Sequence, residues 1–393
     1  MEKIVVKNFG PIKELNCEIK KFTVFIGTQG SGKSTVSKLL TICRDLFWQT
    51  IVARGEDCSM FFKMYGIDTY FKPTTYIQYV KEELTITYER GKFKAKMKGC
   101  TQNVYKQLQE EMFIASLQSM MKMMGYQDIN EIKDNISDMR VLIANIRTLM
   151  YIPAERVIAG QLSSSLASLI VAKVPLSDSL MEYLSFFEKA QKEFPNYRVP
   201  FLNAELHNKD GERYIKIQSE DHAELVPLSF CSSGLQSVFP MLMVVDYCVK
   251  NNYFDAFVIE EPELNLFPTN QRELVHFILQ RYNDSSSKND LNVILTTHSP
   301  YILSILNVAL LAKIVAQDVD LVDDVNRIVP PNEQLSPDDI VVYALSEDDQ
   351  LCCKNLMSKK TNLIGMNSLD AVSIIIGDEF GLLHQLYLKH LKK

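Results

Sequence analysis

The chain has 393 residues, of which 47% are hydrophobic and 23% are charged. This composition is that of a globular protein and excludes a disordered tail protein, a collagen-like fibre and a small disulfide-rich scaffold. Lys and Arg number 42 against 48 Asp and Glu, which gives a formal net charge of −6. An acidic balance argues against a histone-like DNA coat, although it permits a local basic groove. Since a domain typically has about 150 residues, the length predicts two to three domains.

The eight cysteines form no C-x-x-C pair and show no Cys/His spacing of a zinc site. The chain begins with charged residues rather than with the apolar core of a secretory signal. No apolar run reaches the roughly 18 residues that a membrane span needs. We therefore expect a cytoplasmic protein with reduced thiols and no membrane association.

Strand-like and helix-like segments alternate along the chain. The apolar run Phe22–Ile26 predicts a buried strand, and Ser34–Val52 has the apolar spacing of a helix. Ala256–Ile259 and Asn292–Thr297 predict two further buried strands. Further predicted strands are Lys3–Val6, Leu15–Ile19, the start of Met150–Arg156 as far as Pro153, and Val341–Leu345; hairpins are Leu84–Tyr88 with Phe93–Met97 and Tyr214–Gln218 with Glu224–Phe230; helices are Ser177–Phe194, Ser233–Lys250, Thr269–Tyr282 and Ser368–Leu388. This alternation predicts an α/β fold with a mostly parallel sheet flanked by helices.

The composition and the order of the predicted elements divide the chain into four parts. Residues 1–52 and 150–310 are predicted to be two halves of one core. Residues 53–149, which contain a hairpin and a Met-rich helical stretch at 103–149, are predicted to be an inserted lobe. Residues 311–393 form a C-terminal α/β extension, whose Asp318, Asp320, Asp323 and Asp324 are interpreted as a solvated acidic loop.

Residues 27–34 match the phosphate-loop pattern G-x-x-x-x-G-K-[ST] in full, with a predicted strand before it and a predicted helix after it. The glycines let backbone N–H groups surround a phosphate, and the helix N-terminus adds a favourable dipole. Lys33 would contact the β- and γ-phosphates of ATP, and Ser34 would offer a hydroxyl to Mg²⁺. The predicted nucleotide-binding residues are Gly27, Thr28, Gln29, Gly30, Ser31, Gly32, Lys33, Ser34 and Thr35.

The predicted strand 256–259 leads directly into two carboxylates, Glu260 and Glu261, and then Pro262. In a phosphate-loop ATPase the first carboxylate supports Mg²⁺, and the second can activate the attacking water as a general base. We assign these roles to Glu260 and Glu261. The guanine-selecting N-K-x-D pattern is absent from the sequence, which disfavours GTP.

Two further motifs surround the acidic strand end. Ser232, Ser233, Gly234 and Gln236 lie at the start of a predicted helix, where a Ser-Gly turn provides an anion site or an ordinary helix cap. His298 lies in the sequence Thr-Thr-His-Ser-Pro after the next predicted strand, where it could contact a γ-phosphate. A lone histidine is more often structural, so its assignment depends on the other motifs.

Taken in order, the phosphate loop, the S-S-G-x-Q turn, the E-E-P strand end and the T-T-H-S turn resemble the ABC-type ATPase heads of the SMC, RecF and OLD (overcoming lysogenization defect) group. The sequences N-F-G-P-I at 8–12, Y-I-P-A-E-R at 151–156 and E-E-P-E-L-N-L-F-P at 260–268 look more specifically like stand-alone bacterial anti-phage ATPases, the Septu, PARIS and OLD-like subunits. The resemblance covers residues 1–52 and 150–310 well and the C-terminal part loosely.

The resemblance implies that two copies sandwich two ATP molecules head to tail, and that the Ser232–Gln236 turn, the signature turn, acts in trans. Glu263–Pro268 would lie near the seam of this dimer. Several positions depart from the family pattern: Gln29, Leu235, Glu260, Asn265 and Phe267. Because none of these departures removes a phosphate, metal or base function, we expect hydrolysis that is slow rather than absent.

The resemblance also implies a partner effector, a nuclease or toxin, that the ATPase regulates in anti-phage defence. A second hypothesis is a DNA-maintenance ATPase of the RecF or SMC type, with Lys94, Lys96 and Lys98 as its basic stripe. A third is a nucleotide-gated scaffold with incidental hydrolysis. No intrinsic Toprim nuclease is expected in the C-terminal part.

Overall fold

The computed structural model describes residues 1–98, 111, 114, 149–161, 176–209, 212–218, 223–284, 291–346, 353–366 and 376–384. Its strands are β1 Glu2–Phe9, β2 Ile12–Ile19, β3 Phe22–Gly27, β4 Tyr76–Lys81, β5 Leu84–Glu89, β6 Lys92–Met97, β7 Leu149–Ile152, β8 Asn196–Val199, β9 Ala204–Lys209, β10 Glu212–Gln218, β11 Ala223–Pro227, β12 Ala256–Glu260, β13 Asn292–Thr297, β14 Ile340–Leu345 and β15 Cys353–Asn355. Its helices are α1 Lys33–Cys43, α2 Leu46–Arg54, α3 Ser59–Met64, α4 Val157–Gln161, α5 Asp178–Glu193, α6 Ser233–Lys250, α7 Pro268–Tyr282, α8 Pro300–Val315 and α9 Val322–Ile328.

The central sheet has six strands in the order β15-β14-β3-β13-β12-β7. All neighbouring pairs are parallel except β14 with β15. Every residue of β3 and β12 is buried, which explains why both strands are apolar apart from Thr23 and the terminal Glu260. The predicted α/β fold with a mostly parallel sheet is therefore confirmed. Because β3, β12 and β13 run in the same direction, their carboxyl ends meet at one edge of the sheet.

A second, antiparallel sheet has the order β2-β1-β4-β5-β6. The predicted hairpin of β5 and β6 is confirmed, and it pairs through β4 with the N-terminal strand β1. Phe9, Trp48, Phe62 and Tyr79 share its hydrophobic core with Phe25 of β3. The domain boundary at 52/53 stays a prediction, yet this sheet takes strands from both sides of it. The predicted helical stretch 103–149 falls almost entirely outside the described residues.

The prediction of one continuous helix over Ser34–Val52 is wrong. The structure has two helices, α1 and α2, that are separated at Arg44 and Asp45. The Asp45 side chain accepts a hydrogen bond from the backbone N–H of Trp48 and thereby caps the second helix. Arg44 donates two hydrogen bonds to the carboxylate of Glu2, at 2.8 and 2.6 Å, and so ties the end of α1 to β1.

The remaining sheet, β11-β10-β9-β8, and helices α5 and α6 pack on the other side of the central sheet. The strands and helices predicted within 150–310 are confirmed, although 228–230 is a short 3-10 turn rather than strand. Strand β14, predicted at Val341–Leu345, inserts next to β3. Asp318 and Asp320 are exposed as predicted, whereas Asp323 and Asp324 lie in the first turn of α9. Residues 376–384 of the predicted C-terminal helix are helical.

Across the described ranges, none of the helices combines the length and the apolar character that a membrane crossing requires.

Candidate active site at the carboxyl edge of the central sheet

The phosphate loop connects the last residue of β3 with the first residue of α1. Gly30 and Gly32 have φ angles of 83° and 94°, which is the left-handed region that only glycine adopts without strain. A Cβ on Gly27 would lie 2.2 Å from the carbonyl oxygen of Leu345, the last residue of β14. Glycine is therefore needed both for the turn and for the close approach of the neighbouring strand.

The Lys33 side chain is buried and folds back over the loop. Its ammonium donates hydrogen bonds to the carbonyl oxygens of Gly27 at 2.9 Å and Thr28 at 2.7 Å. A longer contact of 3.4 Å joins it to Oγ of Ser31. These bonds place a cation in the centre of the loop, where a bound phosphate would be surrounded.

The charge state of Lys33 is tuned by its surroundings. Burial lowers the pKa of Lys33 to about 8, although the negative charges of Glu261, Glu263 and Glu260 act in the opposite direction. The lysine therefore carries its positive charge at neutral pH but loses it in mildly alkaline solution.

Glu260 ends β12 and is almost fully buried, with 4% of its surface exposed. Burial raises the pKa of Glu260, although Tyr151, Lys38 and Ser34 favour its charged form. Oε1 of Glu260 accepts no hydrogen bond from any residue that the structure describes. A buried carboxylate oxygen without a donor, near a serine hydroxyl, has the donor chemistry that Mg²⁺ prefers. Ser34 and Glu260 thus fit the metal role predicted for them.

Glu261 follows β12 and adopts a left-handed backbone conformation with φ of 44°. Its N–H donates to the carbonyl of Thr296, 2.8 Å away, which fastens it to the end of β13. Oε1 of Glu261 lies 3.4 Å from Nε2 of His298, and about one third of each side chain is exposed, 32% and 33% respectively. The structure therefore brings Glu261, the predicted base, into contact with His298, the predicted γ-phosphate contact. Both side chains are accessible to solvent.

The loop that carries His298 is held by a neighbouring carboxylate. Oε1 of Glu263 accepts hydrogen bonds from Oγ1 of Thr297 at 2.6 Å and from the backbone N–H of His298 at 2.9 Å. Oγ of Ser299 donates to Oε1 of Gln271 at 2.6 Å. These bonds connect the segment after the acidic strand end with the turn that contains His298.

Arg156 is fully buried beside the acidic strand end. Its guanidinium donates to the carbonyl oxygens of Pro153, Glu260 and Glu261. In the structure Arg156 therefore binds backbone carbonyls of its own chain.

The signature turn lies at the N-terminus of α6. Ser232 and Ser233 are exposed, and among the described residues no hydrogen bond joins them to the phosphate loop. Gln236 donates from Nε2 to the carbonyls of Ser229 and Cys231, both at 2.9 Å, and so fixes the approach to the helix. The turn is thus ordered from within and presents its hydroxyls outward.

Gly234 packs against the segment that follows the acidic strand end. A Cβ at this position would lie 2.7 Å from the carbonyl oxygen of Asn265. Two large apolar side chains close to this contact in the sequence are exposed, Phe230 at 82% and Phe267 at 72%.

A cavity of about 290 Å³ adjoins the phosphate loop. The turn of the β1–β2 hairpin forms one wall, and the loop and the end of β14 form the others; the lining residues are Pro11, Ile12, Lys13, Glu14, Leu15, Gly30, Ser31, Leu345 and Ser346. The N-F-G-P-I motif therefore lies against the predicted nucleotide site rather than apart from it.

Sequence reasoning missed two members of this site. Tyr151 on β7 is buried beside Glu260, and burial together with that carboxylate raises the pKa of Tyr151 well above its ordinary value. Glu263 was assigned only to the dimer seam, not to the hydrogen bonds that hold the histidine turn. Their motifs, Y-I-P-A-E-R and E-E-P-E, were recognised, but neither pattern indicates which side chain points to which strand end.

These features define an α/β fold with a phosphate loop and an acidic strand end at the carboxyl edge of its central sheet. A match to the family described as AAA ATPase domain spans residues 1–303, and the chain belongs to this family. No curated protein matches the chain in sequence.

The chain is similar to several solved structures. One is an SMC head bound to the C-winged helix domain of ScpA, with 13% sequence identity and a TM-score of 0.45. The match covers 91% of this chain and 98% of the SMC head chain. The SMC head domain from Thermotoga maritima shares 14% identity over 77% of this chain and 90% of its own, with a TM-score of 0.37. A third is a dimeric ATP-binding cassette bound to ADP and Pi, with 13% sequence identity and a TM-score of 0.29. The match covers 77% of this chain and 90% of the cassette chain.

Proposed function

We propose that the chain binds Mg-ATP and hydrolyses it to ADP and phosphate. The observation that carries this proposal is the convergence of Lys33, Glu260, Glu261 and His298 at the carboxyl ends of three parallel strands. Such an edge is where open α/β sheets bind their ligands. The cavity beside the β1–β2 hairpin supplies room for the base and ribose of the nucleotide.

Each residue has a role that its geometry supports. Lys33 releases its loop carbonyls and binds the β- and γ-phosphates. Ser34 and Glu260 would hold Mg²⁺, which would neutralise charge on the phosphates when bound. Glu261 accepts the proton of the attacking water, and His298 beside it contacts the γ-phosphate.

We further propose that two copies close head to tail over two ATP molecules. The outward-facing Ser232 and Ser233 would contact the γ-phosphate bound by the second copy. Gln236 holds this turn in position through two backbone carbonyls. The exposed Phe230 and Phe267 would become buried at the seam, which would provide apolar area for association.

Three variants test hydrolysis and closure together. Lys33→Ala should weaken ATP binding at least tenfold, since a charged hydrogen bond to phosphate contributes about 1.5–3 kcal/mol. Glu261→Gln should bind ATP normally but hydrolyse it about 100-fold more slowly, because general-base catalysis typically contributes at least that factor. With ATP, Glu261→Gln should sediment as a dimer, whereas the double variant with Ser233→Arg should remain monomeric. Wild-type turnover by Glu261→Gln would contradict the base assignment.

The biological role that we propose is control of an effector, a nuclease or toxin, in anti-phage defence. Helix α8 starts two residues after His298 and exposes Tyr301, Val308 and Leu311 at 51%, 51% and 49%. Their spacing of seven and three residues puts them on one helix face. A partner bound to this face would be linked directly to the turn that contacts the nucleotide.

Capture of the partner tests this role. Tagged Glu261→Gln, purified from the native cell, should carry a stoichiometric effector protein. The same variant with Leu311→Glu is the matched control and should lose that protein while retaining ATP binding. An equal yield of the effector with both variants would refute the α8 face as its docking site. If Glu261→Gln recovers no protein and no nucleic acid but keeps biological function, the result would favour the scaffold hypothesis. The same result with loss of biological function would contradict that hypothesis.

A second candidate function is DNA binding, and one observation favours it. Strand β6 is the edge of its sheet, and Lys92, Lys94, Lys96 and Lys98 are all exposed along it. A row of lysines also protects an edge strand from pairing with other chains. Replacement of Lys94 and Lys96 by Gln should lower duplex-DNA affinity and flatten its salt dependence if DNA is a ligand. DNA affinity that is absent or independent of salt would contradict this function.

A further inference from the structure

We infer that Arg156 is a positioning residue, which holds the backbone of Glu261 in the conformation needed for hydrolysis. It also links Glu261 to α6, the helix that begins with the signature turn. The inference rests on the proposed ATPase function. Nη1 of Arg156 donates to the carbonyls of Glu260 at 2.5 Å and Pro153 at 3.1 Å, and Nη2 donates to the carbonyl of Glu261 at 2.5 Å. One side chain therefore binds both residues of the acidic pair through their backbones.

The surroundings of Arg156 are unusual for a residue that only stabilises the fold. Its side chain is 0% exposed, and Nε makes no hydrogen bond with any described residue. The hydrogen-bond acceptors around it are backbone carbonyls, and in the described part of the chain no carboxylate forms a salt bridge with it. Burial of a charge without a paired counter-ion is costly, and an apolar side chain of similar volume would usually be cheaper. A role in positioning explains why a guanidinium occupies this place.

The backbone that Arg156 binds is itself strained. Glu261 has φ of 44°, a conformation that costs free energy for any residue except glycine. Its N–H is bound by the carbonyl of Thr296 at 2.8 Å, and its carbonyl is bound by Arg156. With both sides of the residue fixed, the carboxylate stays 3.4 Å from Nε2 of His298. Loss of the guanidinium frees the carbonyl and allows the residue to relax away from this contact.

Arg156 also begins a short path to the signature turn. Residues 154–156 lead without interruption into α4. On α4, a Cβ at Gly160 would lie 2.5 Å from Cβ and 2.6 Å from Cα of Gln236 on α6. Helix α4 is therefore packed tightly against the start of α6. A displacement of α6 on docking to a second copy would be transmitted through this contact to Arg156 and from there to Glu261.

The test separates positioning from stability by steady-state kinetics. Arg156→Lys keeps the charge but cannot bind the carbonyls of Glu260 and Glu261 with one planar group. Arg156→Met removes the buried charge at similar volume and is expected to fold. Both variants should keep the KM for ATP within about twofold, while kcat falls at least tenfold, which is the pattern for loss of an interaction made in the transition state. The matched control is Arg281→Lys, which perturbs a half-buried arginine paired with Asp246.

A double-mutant cycle identifies the residue through which Arg156 acts. In the Glu261→Gln background, Arg156→Lys should cause no further loss of kcat, because the group that it positions is already absent. Independent, multiplicative losses would overturn the inference, as would a wild-type kcat for both Arg156 variants. A fall in kcat for Arg281→Lys as large as that for Arg156→Lys would assign the effect to stability and would also overturn it. If the wild-type chain neither binds nor hydrolyses ATP, the proposed function itself fails.

Discussion

The lowered pKa of Lys33 predicts that ATP affinity depends on pH in a range where a lysine with an ordinary pKa would remain charged. Burial sets the pKa of this lysine at about 8 in the free protein. Below this value the ammonium is charged and attracts the phosphates. As the pH rises through it, the lysine becomes neutral, and binding must include the uptake of a proton.

The size of the effect follows from the ionised fraction. With a pKa of about 8, roughly one lysine in eleven is charged at pH 9, so affinity should fall about tenfold between pH 7 and 9. Calorimetric titration with a non-hydrolysable ATP analogue would measure both the affinity and the proton uptake. The binding enthalpy at pH 8.5 should change with the ionisation enthalpy of the buffer, because protons are taken from it.

Two controls make this prediction refutable. Lys33→Arg carries a group that stays charged at pH 9, so its affinity should be nearly constant over the same range. Lys33→Ala should bind weakly and without the proton uptake. A constant affinity for the wild-type protein, or an equal slope for Lys33→Ala, would show that the burial of this lysine does not control binding.

Three further predictions concern stability and assembly. Arg44→Ala leaves the buried Glu2 carboxylate without its partner and should reduce the free energy of unfolding by about 3–5 kcal/mol in denaturant titrations. Burial raises the pKa of Glu2, but the charge and hydrogen bonds of Arg44 and a hydrogen bond from Tyr79 outweigh it and lower this pKa below 4.5. Stability should therefore be lost as the pH falls through that lowered value, and less steeply in Glu2→Gln; equal acid profiles would contradict this. Gly234→Ala should leave ATP binding intact but impair ATP-dependent dimerisation, because its Cβ would approach the Asn265 carbonyl to 2.7 Å; normal sedimentation as a dimer would refute the role of this contact.

The parts of the fold that sequence predicts well are those with local causes. The strand before the phosphate loop is apolar at every position from Phe22 to Ile26 except Thr23, and burial on both faces accounts for that pattern. The order of the motifs also predicts that their residues meet, because parallel strands bring their carboxyl ends to one edge. The break after α1 had a local signal as well: Asp45 is a favourable helix cap, and the apolar spacing across it concealed the break.

The parts that sequence does not predict depend on contacts between distant segments. Strand β4 joins the N-terminal hairpin through backbone pairing, which no residue pattern specifies. The contact of Arg156 with the Glu260 carbonyl spans 104 positions of the chain. Similarly, Glu263 receives its hydrogen bonds from Thr297 and His298, whose distance from it along the sequence gives no indication of proximity. These partners become apparent only when the sheet is assembled.

The segment from Glu261 to Asn265 contacts three functional parts within five residues. Glu261 faces the histidine, Glu263 holds the histidine turn, and Asn265 lies under Gly234. Both Glu261 and Asn265 have left-handed backbones, with φ of 44° and 61°, so the path between them is closely specified. One inserted or deleted residue in this segment would put at least one of the three contacts out of register. For protein engineering, the length of this segment must therefore be kept, and the segment is an unsuitable place for tags, linkers or grafted loops.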